Sequence, residues 1–387
     1  MNRGRFPGLA DGWARLDGPG GTQMVDSAID AMTDWMRSGR TANEGGAFPH
    51  ARASEEVVEQ ARAAVADMLG ADPRGVAFGP SMTALTMAFS AAAGRALAPG
   101  DEIVCTRLDH DANVRPWLIA AERAGATVRF AEPERDTLEM PASAVEAVLS
   151  DRTRWIAVTA ASNAVGTVPD LPGIVAAARG AGARVYVDAV HASPHRPHNL
   201  AELDVDALAC SAYKWFGPHI GVLCARPELL AELTPDKLRP SSDGVPERWE
   251  LGTLPFEALA GVKAAAEYVT SLSWDEVRAH EDALLEAVRS GLGAIDGVTL
   301  YGDARDRTAT LMFNVAGVTA REVAAALAER EIAVWNGNYY AWELERHLGL
   351  VPHGAVRAGF VHYNDASDAE RLLDGVRALA SGHAAQR

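Results

Sequence analysis

The sequence predicts an α/β protein, with a large domain on a mostly parallel β-sheet and a smaller α+β domain at the C-terminal end. Between residues 76 and 226 short apolar runs alternate with helical stretches, the rhythm of a parallel sheet covered on both faces. From about residue 265 the rhythm changes to a long helix followed by short strands and helices in an αββαβαβα order. The length, 387 residues, exceeds what one small core organises and suits two domains.

Residues 1–45 alternate turns, among them LDGPGGTQ, with one amphipathic helix, VDSAIDAMTDWMRSG. A helix is predicted over 54–69, opened by Ser54 as N-cap. VAFG leads into the helix SMTALTMAFSAAAGRAL, and EIVCTRL into ANVRPWLIAAERAGA. TVRFAE, TRWIAVTAAS, RVYVDAV and DALACSA follow as further strands. GPHIGVLCAR, a turn followed by an apolar run, is expected to add to the sheet antiparallel. The later elements are the helix SLSWDEVRAHEDALLEAVRSGLGAI, the strands VTLYG and TATLMFNVAG, the helix TAREVAAALAER, the strand EIAVWNG, a helix, the strand AVRAGFVHYN and a last helix DAERLLDGVRAL. There is no internal repeat. The expected division is an arm (1–20), a large domain (21–265) and a small domain (266–387).

Composition narrows the function. Hydrophobic residues make up 48% and charged residues 23%, an ordinary globular balance. A net charge of −16 argues against a broad nucleic-acid footprint. Three cysteines, Cys105, Cys210 and Cys224, show no CxxC or paired spacing, against a disulfide framework or a zinc site. With no apolar leader-like segment at the start and no stretch of membrane-spanning length, a soluble cytoplasmic protein is expected.

Five strand ends carry candidate chemistry. In CSAYKWFGPH a single lysine, Lys214, sits among aromatics and a Gly-Pro turn. It either closes a strand end with its amine in solvent, or its amine forms a Schiff base with a carbonyl compound. In VYVDAVHASPH, Asp188 ends an apolar strand, where it is a turn cap or a partner for a protonated ring nitrogen. His191 follows within reach of the same ligand. In FGPSMTALTMAFS, a strand end, a turn and a helix start make either a plain cap or a phosphate seat on the N–H groups of Ser81 and Met82 and the Ser81 hydroxyl. His110 in TRLDHDANVRPW and Asn163 in TAASNAVGTVPD follow two more strands, as turn residues or as a stacking ring and an amide donor. A metal set of Asp109, His110 and Asp111 finds no second ligand pair at a recognisable spacing. Four successive junctions carry the phosphate seat, His110, Asn163 and Asp188, and a fifth carries Lys214, which favours the ligand readings.

In this combination the sequence resembles the fold-type I pyridoxal-phosphate (PLP) enzymes, and among them the class V aminotransferase family that contains the cysteine desulfurases, over about residues 16–380. SAYKWFGPHIGVL is similar to the family's Ser-x-His-Lys-x-x-Gly-Pro-x-Gly-x-Gly, which makes Lys214 the Schiff-base lysine and Ser211 a phosphate contact, with Tyr213 where a histidine is usual. VDAVHASPH resembles Val-Asp-Gly-Ala-Gln-x-x-x-His. Asp188 then pairs with the pyridine nitrogen, Val190 packs on a ring face and His191 replaces the glutamine near the ring oxygen. DHDANVRPW implies that His110 stacks on the cofactor, and SNAVGTVPD that Asn163 contacts it. RWELGTLPFEALAGV resembles Phe-Glu-x-Gly-Thr-Pro, whose threonine, here Thr253, reaches the phosphate of the partner subunit, so a homodimer with a shared site is implied. AVRAGFVHYN resembles Arg-x-Ser-x-x-x-Tyr-Asn, with Arg357 clamping the substrate carboxylate. The implied fold is the seven-stranded-type PLP transferase sheet with a small C-terminal domain.

One segment departs from the family. Where desulfurases carry a nucleophilic cysteine in a stretch like Arg-Thr-Gly-His-His-Cys, this chain has WNGNYY. Trp335 stands for the arginine and Tyr340 for the cysteine, and Asn338, Tyr339 and Tyr340 become candidate substrate contacts. The expected activity is PLP-dependent C–S cleavage of cysteine or an S-substituted cysteine. Lys214 would act as the base at Cα, with Asp188 and His110 serving the ring. An aminotransferase or amino-acid epimerase is the alternative, and a PLP-binding regulatory protein without turnover the remote one.

Overall fold

The computed structural model describes residues 2–384. Residue 1 and residues 385–387, at the outer ends of the expected arm and small domain, lie outside it. A short strand β1 (Ala14–Arg15) precedes the seven strands of the main sheet: β2 (Val76–Gly79), β3 (Glu102–Thr106), β4 (Thr127–Ala131), β5 (Thr153–Thr159), β6 (Arg184–Asp188), β7 (Ala207–Ser211) and β8 (Gly221–Ala225). Their order is β2-β8-β7-β6-β5-β3-β4. Only β8 runs against its neighbours β2 and β7, as GPHIGVLCAR led one to expect.

Apart from the edge strand β4, whose Thr127 and Arg129 are exposed, the strands are largely buried on both faces, which explains their apolar runs. Alternate residues serve opposite layers. Val185 and Val187 of β6 face one cluster with Val104 and Val158. Tyr186 joins Phe89, Trp117 and Trp155 in the other. Phe89, on the helix Met82–Gly94, meets the Trp155 ring edge-on at 5.4 Å.

A second, antiparallel sheet is formed by β9 (Val298–Tyr301), β10 (Thr310–Val315), β12 (Trp335–Gly337) and β13 (Ala355–Gly359), in the order β12-β13-β10-β9. The single expected strand EIAVWNG is two: β11 (Ile332–Ala333) pairs in parallel with β1, and β12 pairs with β13. The N-terminal segment is thereby tied to the C-terminal elements, a strand pairing not foreseen in the first 45 residues. The long helix Trp274–Gly293 and the last helix Ala366–Ala384 cover this sheet.

Ser54 is not an N-cap. The helix begins at Pro49, whose ring suits a first helical position, and ends at the left-handed Gly70. Ser54 is buried one turn inside it and donates to the Ala42 carbonyl, fastening the preceding segment. Among the described residues no helix is long and apolar enough to cross a membrane.

Candidate active site

The parallel strands end in Thr106, Thr159, Asp188 and Ser211, and the turns beyond them hold His110, Asn163 and Lys214. An open α/β sheet binds ligands beyond these carboxyl ends. A cavity of about 620 Å³ lies there. Its floor holds Ser81, Met82, Asp188, Val190 and Ser211, its walls His110, Asn163, His191, Tyr213 and Lys214, and its small-domain side Asn338, Tyr339, Tyr340 and Arg357. Every expected site residue therefore lines one space, except Thr253. That residue sits on the exposed segment Leu251–Thr253, away from this chain's own cavity.

Lys214 is only 7% exposed. Its Nζ donates to the Pro19 carbonyl and lies 5.2 Å from the Tyr213 ring centroid. Burial, with the nearby Arg357 cation, pulls the amine down to about 7, while Asp188 opposes the fall. Such an amine is free to act as nucleophile or base near neutrality. Asp188 accepts one hydrogen bond, from the Val190 N–H at 2.9 Å, and burial raises its carboxyl to about 6. A buried carboxylate with so little compensation suits a cationic partner.

His110 accepts from the Ala112 N–H at Nδ1, 3.0 Å away, which fixes its ring and places the remaining proton on Nε2. Burial and the Lys214 and Arg357 cations lower it to about 4, so it is neutral. His191 is held neutral by burial as well, between the hydroxyls of Thr308 and Thr310, each 3.1 Å from Nε2. Asn163 ties the two sheets together. Its Nδ2 donates to the Tyr339 carbonyl at 2.9 Å, and its own carbonyl accepts from Arg357 at 2.8 Å. Its buried Oδ1 has no protein partner among the described residues. Arg357 is buried, and among the described residues no carboxylate forms an ion pair with it. It stacks on Tyr339, and burial lowers it to about 10. A desolvated guanidinium of this kind suits an incoming carboxylate.

The Ser81 hydroxyl caps its helix by accepting from Ala84 N–H at 3.1 Å, which leaves the first N–H groups of Met82–Gly94 at the cavity. Gly221, on β8, passes so close to Ser81 and Met82 that a Cβ would come within 2.1 Å of backbone, which packs the seat against the sheet. Asp109 turns away from the cavity. It bonds Thr106 and Asn113 (2.7 Å) beneath the turn, and among the described residues no three metal-type side chains converge.

Sequence reasoning gave no role to Pro19 and Gly20, which wall the site from the N-terminal turn, or to Thr83, Thr159 and Pro352. The LDGPGG cluster signalled a turn but not its destination. The three cysteines are buried on β3, β7 and β8, outside the cavity lining, and burial raises all three thiols, Cys210 to about 12. A second hollow of about 440 Å³ near Gln60 is open, and the Lys263–Glu267 pair on its wall closes on itself at 2.7 Å.

The residues fit PLP. A helix start can take the phosphate, Asp188 a protonated ring nitrogen, His110 a ring face, the orphaned Asn163 amide a ring substituent, and Lys214 the aldehyde. Fold and site thus define a PLP-dependent enzyme of the type I fold. The chain belongs to the class-V aminotransferase family, which it matches over residues 14–372. It is 34% identical over 397 residues to an uncharacterized protein of Mycobacterium tuberculosis, covering 98% of each chain. It is 33% identical to a probable cysteine desulfurase of Mycolicibacterium paratuberculosis over 95% of this chain, and spans 56% of that longer protein. The solved apo cysteine desulfurase of Thermococcus onnurineus superimposes with a TM-score of 0.91 at 26% identity, over 98% of this chain and 97% of that one.

Proposed function

We propose that this protein cleaves the C–S bond of cysteine or an S-substituted cysteine, as a PLP-dependent lyase of the desulfurase-like type. The observation that carries the reading is the convergence of three buried charged groups, Lys214, Asp188 and Arg357, on one cavity. Buried charges without full protein compensation concentrate where a ligand completes them. The desulfurase relatives supply the substrate class.

When bound, PLP supplies an electron sink for a substrate carbanion. The N–H groups beyond Ser81, with Ser211, would hold its phosphate. Asp188 would keep the ring nitrogen protonated, Val190 and His110 would pack on the ring, and His191 and Asn163 would reach its substituents. Arg357 takes the substrate α-carboxylate and fixes the Cα–H bond toward Lys214, which removes that proton. His110 contributes a neutral polar ring and no competing charge. The proposed active unit is a cytoplasmic homodimer, with Thr253 of each chain completing the phosphate seat of the other. Within each chain an arm (1–20) and a small domain (266–387) close on the cofactor domain (21–265).

The test is product identification. Loaded enzyme incubated with cysteine and S-substituted cysteines is expected to release pyruvate, ammonia and sulfide or a thiol. A keto acid that retains the side chain and requires an amino acceptor would replace this reading with transamination. Inversion at Cα alone would replace it with epimerisation.

A further inference from the structure

Resting on that proposed lyase reading, we propose that the substrate is a cysteine whose sulfur carries an uncharged, flat apolar group, seated between Trp335 and Tyr340. Trp335 pairs directly with Arg357 across β12 and β13. Paired residues of adjacent strands project on one face, with Cβ atoms about 5 Å apart. An amino acid anchored through its carboxylate on Arg357 therefore has the indole beside it. Gly20 makes room for that ring, since a Cβ there would lie 2.1 Å from the indole Nε1.

Tyr340 lines the same cavity. Tyr339 and Tyr340 both adopt left-handed backbone conformations, φ 51° and 59°. The turn is held by hydrogen bonds from Asn163 to the Tyr339 carbonyl and from the Asp111 N–H to the Tyr340 carbonyl at 2.7 Å. Tyr339 is committed to Arg357 and to the Ala355 carbonyl. Tyr340 is not, and its ring, 70% exposed, lies 5.3 Å from that of His110. Trp335 is 50% exposed. Two large rings that line one cavity, both left exposed, suit a planar group between them.

The charged groups of the cavity are otherwise engaged: Asp188 and Lys214 with the cofactor, Arg357 with the carboxylate. Among the described residues, the lining around Trp335 and Tyr340 adds Asn336, Gly337, Asn338 and Pro352, and no further Asp, Glu, Lys or Arg. Among the described residues no cysteine lines the cavity to accept a sulfur atom. The sulfur must leave with its substituent attached. Lys214 takes the Cα proton, the Cβ–S bond breaks with its electron pair on sulfur, and the thiolate takes up a proton. Water then releases the three-carbon remainder as pyruvate and ammonia, and no external oxidant or reductant enters.

The test compares S-benzylcysteine with cysteine, S-carboxymethylcysteine and S-aminoethylcysteine, reading both Kd, from the absorbance change of the bound cofactor, and kcat/KM, from pyruvate. S-benzylcysteine is expected to bind at least tenfold more tightly than the other three. Trp335→Ala and Gly20→Ala, the second displacing the indole, are each expected to remove most of that preference, and Trp335→Arg to turn it toward S-carboxymethylcysteine. Equal or weaker binding of the benzyl compound by the wild-type protein overturns the proposal whatever the variants do. Preferred binding without thiol release sustains the substrate class and overturns the lyase reading instead.

Discussion

The guanidinium of Arg357 lies 4.4 Å from the centroid of the Tyr339 ring, so the group proposed to hold the substrate is itself held by an aromatic face. Such a contact contributes about 1–2 kcal/mol when desolvated. Tyr339→Leu is expected to raise KM for an amino-acid substrate about tenfold with a smaller change in kcat. Arg357→Ala should raise KM by about a hundredfold, and Arg357→Lys should recover little of it, because an ammonium cannot form the two-point contact. Steady-state kinetics checks both. An unchanged KM in Arg357→Ala would remove that residue from the site.

Asp188 is expected to oppose folding of the cofactor-free protein. Its carboxyl rises from 3.8 to about 6 on folding, so the native state binds a proton that the unfolded chain has released. Stability therefore falls as pH rises from about 4 to 6, and the full cost, of the order of 3 kcal/mol, persists above that window. Asp188→Asn should raise the melting temperature of the cofactor-free protein by a few degrees at pH 8 and leave it little changed at pH 4. In the loaded protein the same substitution should weaken PLP retention at least a hundredfold. Melting curves of both forms at the two pH values decide the matter, and a drop for the cofactor-free variant at pH 8 contradicts it.

Lys214 gives the cofactor-capture rate a pH dependence of opposite sense to that stability curve. Its amine is charged below about 7 and nucleophilic above it. The rate at which the cofactor-free protein takes up PLP should climb through pH 7 and level off near pH 8. Arg357 depresses this amine and Asp188 raises it. Arg357→Ala should shift the midpoint up, and Asp188→Asn should shift it down. Rapid-mixing absorbance across pH 6–9 measures all three, and a midpoint near 10 in the wild-type protein would show that the amine is not desolvated in solution.

The strand ends of the large sheet were legible because each polar residue there interrupts an apolar run: Asp188 after RVYV and Lys214 after DALACSA stand out against their surroundings. The same logic located the antiparallel β8 from its Gly-Pro turn. What could not be read was any relation between segments distant in the chain. Gly20 beneath Trp335, Asn163 bonded to Tyr339 and Pro19 bonded to Lys214 are set by tertiary packing, and no local periodicity encodes them. Ser54 misled for the complementary reason. Serine followed by acidic residues is a start signal, but Pro49 supplies an earlier start, and the Ala42 carbonyl gives the hydroxyl another use.

The parallel pairing of β1 with β11, and the bridge from Asp17 to Gly359, have a consequence for the order of events during synthesis. Residues 14–20 form one wall of the cavity, yet the strands they pair with are made long after them. Pro19 and Gly20 cannot settle until residues 332–359 have emerged. A nascent chain that has completed the seven-stranded sheet holds Lys214 and Asp188 in an open basin without Arg357. The finished pocket, and any discrimination among amino acids, comes into being only once those later strands have been made.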